Sequence, residues 1–310
     1  MPKSTIKFLF RMVDQGMGFR LKCFELRDIV GFREKITNQN KEPPMLESIF
    51  IKATSLSDAW FQTLYRCVEK GRSFTINRGS FEGQKRLEFD YITIHITHPE
   101  TVPLLPKVNP ALGFPDPVDE DYLDDYLPYL MTGEEKEGES YTYGQRICKC
   151  ELDYLPDAYK KLTDILVQEK EIWEDRNILI EEAGKYYVNQ MELMIWTYVN
   201  KGHRNNQMIL QVGQPSDMIL VDPPCLRHID TRIQDGKLHF FPYFRSWDLF
   251  GGFPANLAAI EMMKQYCASH IGVENGDIIA SSKGLHIYDY VFEIAEALRG
   301  RTMEEFRQMS

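Results

Sequence analysis

The chain has 310 residues, of which 43% are hydrophobic, and a formal net charge of -10. This composition is typical of a globular protein with a buried core, and no apolar run is long enough to cross a bilayer. The acidic balance opposes broad contact with nucleic-acid phosphates, which needs a cationic face. The first residues lack the pattern of a signal peptide, so we expect a cytoplasmic protein without nucleic-acid or membrane partners.

Six cysteines are scattered along the sequence, and none forms a Cys-x-x-Cys pair. In a chain expected to be cytosolic, this favours reduced thiols over a disulfide framework. A structural zinc site needs paired ligands at closer spacing. The sequence therefore predicts no metal site.

The N-terminal half begins with short apolar runs that end in a polar, proline-containing stretch. We interpret residues 1–45 as an extension and linker, and residues 46–310 as the main domain. Apolar spacing predicts a helix that starts near Ser57 and ends at Gly71. Alternation of apolar and polar residues then predicts a strand region that is clearest over residues 87–96.

The middle of the chain is expected to be mostly helical after an irregular proline-rich stretch over residues 99–117. A short helix is predicted over residues 121–131, interrupted near Pro128 because proline lacks an amide hydrogen. A long helical region is predicted over residues 156–200, with a break around residues 175–177. Its aromatic side chains are expected to belong to the core.

The last third changes to a strand-rich pattern. Strands are predicted over residues 208–212, 229–233, 238–244, 278–280 and 285–288. A turn over residues 234–237 joins two of them, and a buried helix is predicted from Ala255 to Ile271 with Pro254 near its start. The predicted fold class is α+β, with a mixed or antiparallel sheet packed on one long buried helix.

The first chemical signal is Asp222-Pro223-Pro224-Cys225, which lies between two strand-like segments. Two prolines fix the backbone directly before the thiol and so aim it in a reproducible direction. Taken alone, a single cysteine is more often a small buried hydrophobic residue than a nucleophile.

Two further groups follow a predicted strand. Arg245 and Ser246 are suited to binding phosphate oxygens through charge-assisted hydrogen bonds, although an ion pair between Arg245 and Asp248 is the alternative. The glycines that precede the helix, including Gly252, allow a ligand to approach the backbone closely. A plain turn before a helix would give the same pattern.

The last group is His286-Ile287-Tyr288 in a predicted strand. Alternation places His286 and Tyr288 on one face, where both can meet a sugar hydroxyl. Core or interface packing is the alternative. None of the four groups is specific by itself, but their order and spacing are.

The ordered set Pro-Pro-Cys, Arg-Ser-x-Asp, Gly-x-Pro-x-Asn and His-x-Tyr, from Pro223 to Tyr288, resembles the thymidylate synthase family. The sequence around Arg245 and the sequence from Ser281 to Tyr290 are most similar to the archaeal-type branch. The resemblance implies that the Cys225 thiolate adds to carbon 6 of uracil, after which carbon 5 attacks the methylene of a reduced pterin carrier.

The resemblance also implies roles for neighbouring residues. Arg245 is expected to lower the pKa of the Cys225 thiol and, with Ser246, to bind the phosphate. Asp248 and Gly252 are expected to bind the pterin carrier. His286 and Tyr288 correspond to the pair on the ribose hydroxyl.

Asn256 corresponds to the residue that contacts the base. A neutral amide both donates to a uracil carbonyl and accepts from the ring N–H, whereas hydroxymethylases that act on cytosine tend to have aspartate here. Asn256 therefore favours uracil, because a site built for one edge leaves buried groups unpaired with the other.

Weaker matches lie earlier in the chain. Arg204 resembles the arginine that reaches across the family's dimer to the phosphate, and Arg78 lies where a phosphate-binding loop is expected. Tyr143 resembles a conserved tyrosine of the catalytic face. Asp124 or Asp125 is a candidate for the family's catalytic glutamate.

The sequence departs from the family at several points. Leu226 replaces a histidine, Phe244 replaces a glutamine, and no tryptophan occurs between Gly133 and Tyr143. The chain ends soon after Tyr288, whereas the family has a long carboxyl segment that closes over the carrier. This closure decides whether hydride or water reacts with the transferred carbon in the final step.

We therefore expect a homodimeric enzyme of nucleotide biosynthesis that converts dUMP to dTMP with 5,10-methylenetetrahydrofolate or a tetrahydromethanopterin-type carrier. One alternative is a 5-hydroxymethylase acting on dUMP, dCMP or CMP. The second is a nucleotide-binding relative without turnover, which would need no nucleophile.

Overall fold

The fold is described from a computed structural model for residues 45–77, 81–135, 139, 141–151 and 177–300. The expected extension over residues 1–45 lies almost wholly outside these ranges. The division of the chain into an extension and a main domain therefore stays a prediction.

The strands of the described ranges form sheets of six, four and three strands. In chain order they are β1 (Ser48–Ala53), β2 (Arg72–Thr75), β3 (Lys85–Glu88), β4 (Tyr91–Ile96), β5 (Cys150–Glu151), β6 (Leu179–Glu182), β7 (Lys185–Val188), β8 (Ile209–Gln211), β9 (Leu226–Gln234), β10 (Lys237–Phe244), β11 (Trp247–Asp248), β12 (Glu274–Ser282) and β13 (Leu285–Tyr288).

The helices of the described ranges mostly begin at a capping side chain that accepts a backbone N–H. They are α1 (Leu56–Lys70), α2 (Glu120–Met131), α3 (Tyr143–Cys148), α4 (Gln190–Lys201), α5 (Gly252–Ile271) and α6 (Phe292–Arg299), with 3-10 turns at Pro110–Leu112, Pro215–Ile219 and Asp289–Val291.

The six-stranded sheet is mixed, in the order β1-β4-β12-β10-β9-β8. The pairs β1–β4 and β12–β10 are parallel, and the other neighbours are antiparallel. Burial alternates along β10, so that Leu238, Phe240 and Phe244 point into the core while His239 and Tyr243 point to the opposite face. This confirms the predicted mixed α and β architecture.

The turn between β9 and β10 falls where the sequence predicts it. Asp235 and Gly236 both have positive φ angles, 52° and 76°. Two successive residues of this kind define the tight hairpin turn that matches the strand twist. The hairpin sets the register of the strands that carry the candidate nucleophile and the candidate phosphate arginine.

The helical prediction for residues 156–200 is wrong over its central part. Leu179–Glu182 and Lys185–Val188 form a β-hairpin, and only Gln190–Lys201 is helical; residues 156–176 lie outside the described ranges. Ala183 and Gly184 have positive φ angles, 51° and 77°, which close the chain into a turn.

The predicted interruption at Pro128 is also wrong, because α2 continues to Met131. Pro128 lies in the last turn, where only one hydrogen bond is lost. The Thr132 backbone N–H and hydroxyl both donate to the Pro128 carbonyl and close the helix end.

The described ranges show neither a membrane-spanning helix, nor a metal-binding cluster, nor a disulfide. No helix in them has the length and apolar character needed to span a membrane. No group of three or more His, Cys, Asp or Glu side chains in them is arranged to hold a metal ion. The five cysteines within these ranges are free thiols.

A buried ion pair ties α5 to the sheet. The ammonium of Lys264 lies 2.9 Å from a carboxylate oxygen of Glu261, and both side chains are 0% exposed. Lys264 also donates to the Gly276 carbonyl on β12, while the Gln265 and Asn275 amides donate to the second Glu261 oxygen. The pair is buried and hydrogen-bonded, so loss of either charge leaves the other uncompensated.

Glu261→Gln is expected to lower the free energy of unfolding by about 3–5 kcal/mol, because the Lys264 charge keeps no buried anion. Urea unfolding followed by circular dichroism measures this loss. The matched control is Glu274→Gln in the exposed pair with Lys237, 3.3 Å apart, where we expect a change of about 1 kcal/mol or less. Equal losses in the two variants would contradict the prediction.

Candidate active site

Cys225 lies in a short loop immediately before β9 and is half-buried. The loop is held by a neighbouring strand end, since the Arg245 backbone N–H donates to the Cys225 carbonyl at 2.9 Å. The Arg245 side chain donates through Nε to the Pro224 carbonyl at 3.1 Å and through Nη2 to the Pro223 carbonyl. The predicted proximity of Cys225 and Arg245 is therefore observed.

The alternative pairing of Arg245 with Asp248 is not what the structure contains. The carboxylate nearest to the Arg245 guanidinium is that of Asp222, at 3.6 Å. Arg245 remains partly exposed, and a guanidinium has five N–H donors. After its contacts with the loop it retains donors for a further anion.

Two tyrosines hold the ends of the loop from the other side. The Tyr141 hydroxyl donates to the Asp222 carbonyl at 3.3 Å, and the Tyr143 hydroxyl accepts the Leu226 backbone N–H at 3.3 Å. Tyr143 lies at the start of α3 and is buried. Tyr143 thus lies beside the loop of Cys225, and its expected place on the catalytic face stays a prediction.

A cluster of charged side chains that the sequence did not reveal supports the loop of Cys225. Asp217 is buried and pairs with Arg146 at 2.8 Å and with Arg227 at 2.9 Å, while Arg227 also donates to the Pro224 carbonyl at 3.3 Å. Burial alone would raise the pKa of Asp217, but the Gln214 backbone N–H and the two arginines outweigh it and lower that pKa. No local motif marks the cluster, because its members are far apart in sequence.

Burial of the Cys225 thiol outweighs the effect of Arg245 on its pKa. Burial raises the pKa of Cys225 above its ordinary value, and Asp222 and Asp248 add to this. Arg245 and Arg227 act in the opposite direction, Arg245 more strongly, without reversing the shift. Arg245 therefore acts in the predicted direction, but the net pKa of Cys225 stays raised, because desolvation of the anion exceeds its attraction to the guanidinium.

Asp248 accepts three backbone N–H groups at the start of α5. Its Oδ1 accepts from Phe250 at 3.1 Å, and its Oδ2 accepts from Gly251 at 3.2 Å and Gly252 at 3.1 Å. This carboxylate therefore holds the turn that leads into α5 and accepts the N–H of the first helical residue, Gly252. Its expected contact with the carrier, and that of Gly252, stay predictions.

Asn256 lies half-buried in the first turns of α5 and has both ends of its amide bonded. Its Oδ1 accepts the Trp247 indole N–H at 2.9 Å, and its Nδ2 donates to the Tyr126 hydroxyl at 2.7 Å. Asn256 also lines a cavity of about 470 Å³ together with Tyr126, Tyr129 and Tyr143. Each end of the amide keeps one further hydrogen-bonding position.

His286 and Tyr288 lie on β13 with their rings in contact, 4.7 Å between centroids. His286 is 2% exposed. Its Nδ1 is bonded to the Gly284 carbonyl at 2.8 Å, so Nδ1 carries the proton, and Nε2 is a buried acceptor without a partner among the described residues. Burial lowers the pKa of His286, which keeps the ring neutral.

Electrostatics place these groups around one thiol. Charge on Cys225 contributes to the raised pKa values of Tyr129, Tyr141, Tyr143 and Tyr288, which burial chiefly causes; the pKa of Tyr141 and that of Tyr288 reach about 12. These four phenols therefore lie within electrostatic range of the thiol and are neutral at ordinary pH. The density of tyrosine between residues 122 and 143 was the sequence signal for this lining.

The remaining predicted site residues are Ser246, Arg204, Asp124 or Asp125, and Arg78. Ser246 is half-buried, directly after Arg245. Arg204 is exposed, two residues before Asn206, which lines a cavity on the open face of the large sheet. Asp125, but not Asp124, lines the tyrosine cavity. Arg78 lies outside the described residues.

The site and fold correspond to a known family. The family model described as Thymidylate synthase matches residues 141–310, more than half of the chain. The chain therefore belongs to the thymidylate synthase family, as its motifs predict. At the level of this family it is a one-carbon transferase that takes a nucleotide substrate and a folate-type carrier.

Similar proteins come from methanogenic archaea and are named "Putative thymidylate synthase". The one from Methanosarcina acetivorans is 27% identical over 246 residues, which cover 79% of this chain and 92% of the relative. The one from Methanosarcina mazei is 28% identical over 248 residues, with the same coverage. The predicted likeness to the archaeal-type branch is confirmed.

The raised pKa of Cys225 has a measurable consequence. Because only the thiolate is nucleophilic, alkylation of Cys225 by iodoacetamide in the free protein is expected to follow a pH curve shifted above that of glutathione. Peptide mass spectrometry from about pH 7 to pH 10 resolves the rate at this position. A half-maximal rate at a lower pH than that of glutathione would contradict the shift.

Proposed function

We propose that this protein transfers a one-carbon unit to carbon 5 of dUMP through a covalent adduct of Cys225, giving dTMP. The observation that carries the proposal is the grouping of a held thiol, a partly exposed arginine, a cavity-lining amide and a buried histidine nitrogen that has no partner among the described residues. Simple binding of a nucleotide requires no thiol among these groups.

The site offers suitable groups for the phosphate, the ribose and the base of a nucleotide. Arg245, with its remaining N–H donors, and Ser246 suit the phosphate. The buried Nε2 of His286 is an acceptor for a ribose hydroxyl, and the Tyr288 hydroxyl lies on the same strand face. Asn256 offers one acceptor and one donor position to the base.

The covalent step uses the Cys225 sulfur. Its thiolate adds to carbon 6 of the uracil ring, and the electron pair of the ring double bond moves to carbon 5. Carbon 5 would attack the methylene of the carrier, and one carbon–nitrogen bond to that methylene would break. After carbon 5 loses its proton, the second carbon–nitrogen bond would break, which frees the carrier and leaves a methylene on the ring. Hydride from the carrier would convert this methylene to a methyl group, return the double bond to carbons 5 and 6, and expel the Cys225 thiolate. Tyr143, bonded to the Leu226 backbone N–H, helps to hold the thiol at a fixed position during these steps.

The carrier is proposed to bind in the cavity lined by Tyr126, Tyr129 and Tyr143. The reduced pterin supplies the one-carbon unit and, for a methyl product, a hydride. Aromatic side chains suit a flat pterin ring, and the cavity volume of about 470 Å³ is that of an ordinary small-molecule site. Tyrosines would thus take the stacking role of the family tryptophan that this segment lacks.

The alternative product is a 5-hydroxymethyl nucleotide. If water reaches the transferred carbon before hydride does, the same Cys225 chemistry gives a hydroxymethyl group. The bonding of Asn256 favours uracil over cytosine, so dUMP remains the proposed substrate in either case. A relative without turnover is disfavoured, because it would have no use for Cys225.

The covalent step is tested with fluoro-dUMP and a methylene carrier. We expect the intact mass of the protein to increase by the nucleotide plus the carrier, with either methylenetetrahydrofolate or methylenetetrahydromethanopterin. Cys225→Ser is expected to abolish the increase, whereas Cys150→Ser, which changes another half-buried free thiol, keeps it. An adduct that survives in Cys225→Ser would refute the assignment of the nucleophile.

The same reaction with dUMP identifies the product. A product of the mass of dTMP supports methyl transfer, and one heavier by an oxygen identifies the hydroxymethylase. No adduct and no product with either carrier would support the non-catalytic alternative.

We also propose that the protein acts as a homodimer through the open face of the six-stranded sheet. Tyr91, Tyr243 and Ile279 line a cavity of about 580 Å³ on this face, and Phe50 on the neighbouring β1 is exposed. A sheet face that carries these aromatic and aliphatic side chains among polar ones such as His228 and Asp230 suits a second copy. Arg204, near the edge of the same face, would then be available to the phosphate site of the partner copy.

Ile279→Asp is expected to shift the protein from dimer to monomer, because a carboxylate would be buried in the proposed interface. Light scattering after size-exclusion chromatography measures the mass. The control Phe74→Asp alters an exposed aromatic residue on β2, in a different sheet, and should leave a dimer. A dimer in both variants would refute this interface.

A further inference from the structure

Trp247 occupies the variable position of the Arg-Ser-x-Asp group and is 1% exposed. Its ring stacks between Phe244, at 3.9 Å between centroids and 7° between planes, and Phe253, at 4.6 Å. These contacts fix the ring. The indole N–H consequently has a fixed direction, and it is directed at Asn256.

The two partners of the Asn256 amide differ in one chemical respect. An indole N–H donates and never accepts, whereas a tyrosine hydroxyl does both. Trp247 therefore requires an oxygen opposite it, which assigns Oδ1 to that side and Nδ2 to the side of Tyr126. Tyr126 would tolerate either orientation, because its hydroxyl can rotate to donate or accept.

The orientation of the amide decides which base pairs with it. In the observed orientation Oδ1 accepts from a ring N–H and Nδ2 donates to a carbonyl, which is the edge of uracil. Cytosine has an acceptor ring nitrogen and a donor amino group, so it needs the amide rotated by half a turn. That rotation would leave the buried Trp247 N–H facing the Nδ2 hydrogens without an acceptor.

We propose that Trp247 is the positioning residue that sets the base preference of this site, by holding the Asn256 amide in the orientation that pairs with uracil and rejects cytosine. This inference rests on the proposed function, in which Asn256 contacts the base. Trp247 itself touches Asn256 and the aromatic stack, and it acts on the nucleotide only through the amide.

The test is the ratio of the dissociation constants of dCMP and dUMP, measured by calorimetry. In the wild-type protein we expect dUMP to bind more tightly. Trp247→Phe keeps a stacked ring and removes the N–H, so the preference should fall by about tenfold or more. Tyr126→Phe, which leaves the directional donor in place, should retain the preference.

Trp60 provides a matched control. It is 0% exposed, and its indole N–H donates over the same distance, 2.9 Å, to the Leu249 carbonyl instead of to Asn256. Trp60→Phe should lower the melting temperature to a degree similar to Trp247→Phe and leave the preference for dUMP unchanged. A merely structural role of Trp247 would make the two variants behave alike.

The outcomes separate this inference from the proposed function. If the wild-type protein binds neither nucleotide, the proposed function fails. If it prefers dUMP and Trp247→Phe keeps the wild-type ratio, only the role of Trp247 is refuted. Should Trp247→Phe not fold, benzothienylalanine at position 247 preserves the shape of indole without its N–H, and the same ratio decides the question.

Discussion

The hold of Arg245 on the carbonyls of Pro223 and Pro224 is the interaction on which the site depends. The arginine leaves the end of β10, while the loop it binds enters β9, so the β9–β10 hairpin determines where the thiol lies. Because the same guanidinium is the proposed phosphate ligand, the proposed nucleophile and the proposed anchor of its substrate share one support. Movement of one would be transmitted to the other.

The surroundings of Cys225 keep the resting thiol protonated and thus slow to oxidise, since the thiolate is the reactive form. Burial and the carboxylates of Asp222 and Asp248 oppose the charge on the sulfur, and the nearby arginines reduce this opposition without removing it. In the proposed function, a nucleotide bound beside Cys225 would change both the solvation of the sulfur and the charges around it, so the reactivity of the thiol would depend on substrate binding.

The motif-bearing third of the chain was largely predictable, because its strands alternate cleanly and the turn at Asp235 and Gly236 has an unambiguous local signal. The region of residues 179–188 was not, since tyrosines in a short hairpin resemble a helical aromatic stripe until the turn is recognised. The sign of the Cys225 pKa shift was equally hidden. It depends on the burial of the thiol in the folded chain, which no local pattern reports.

The aromatic stack around Trp247 also bears on how this active site can change over evolutionary time. An aspartate at position 256 would accept the indole N–H as readily as the amide oxygen does, and the Tyr126 hydroxyl could turn to donate to its other oxygen. Both neighbours are thus already compatible with a carboxylate. If Asn256 selects uracil as proposed, the same surroundings would accept a carboxylate at this position after a single substitution.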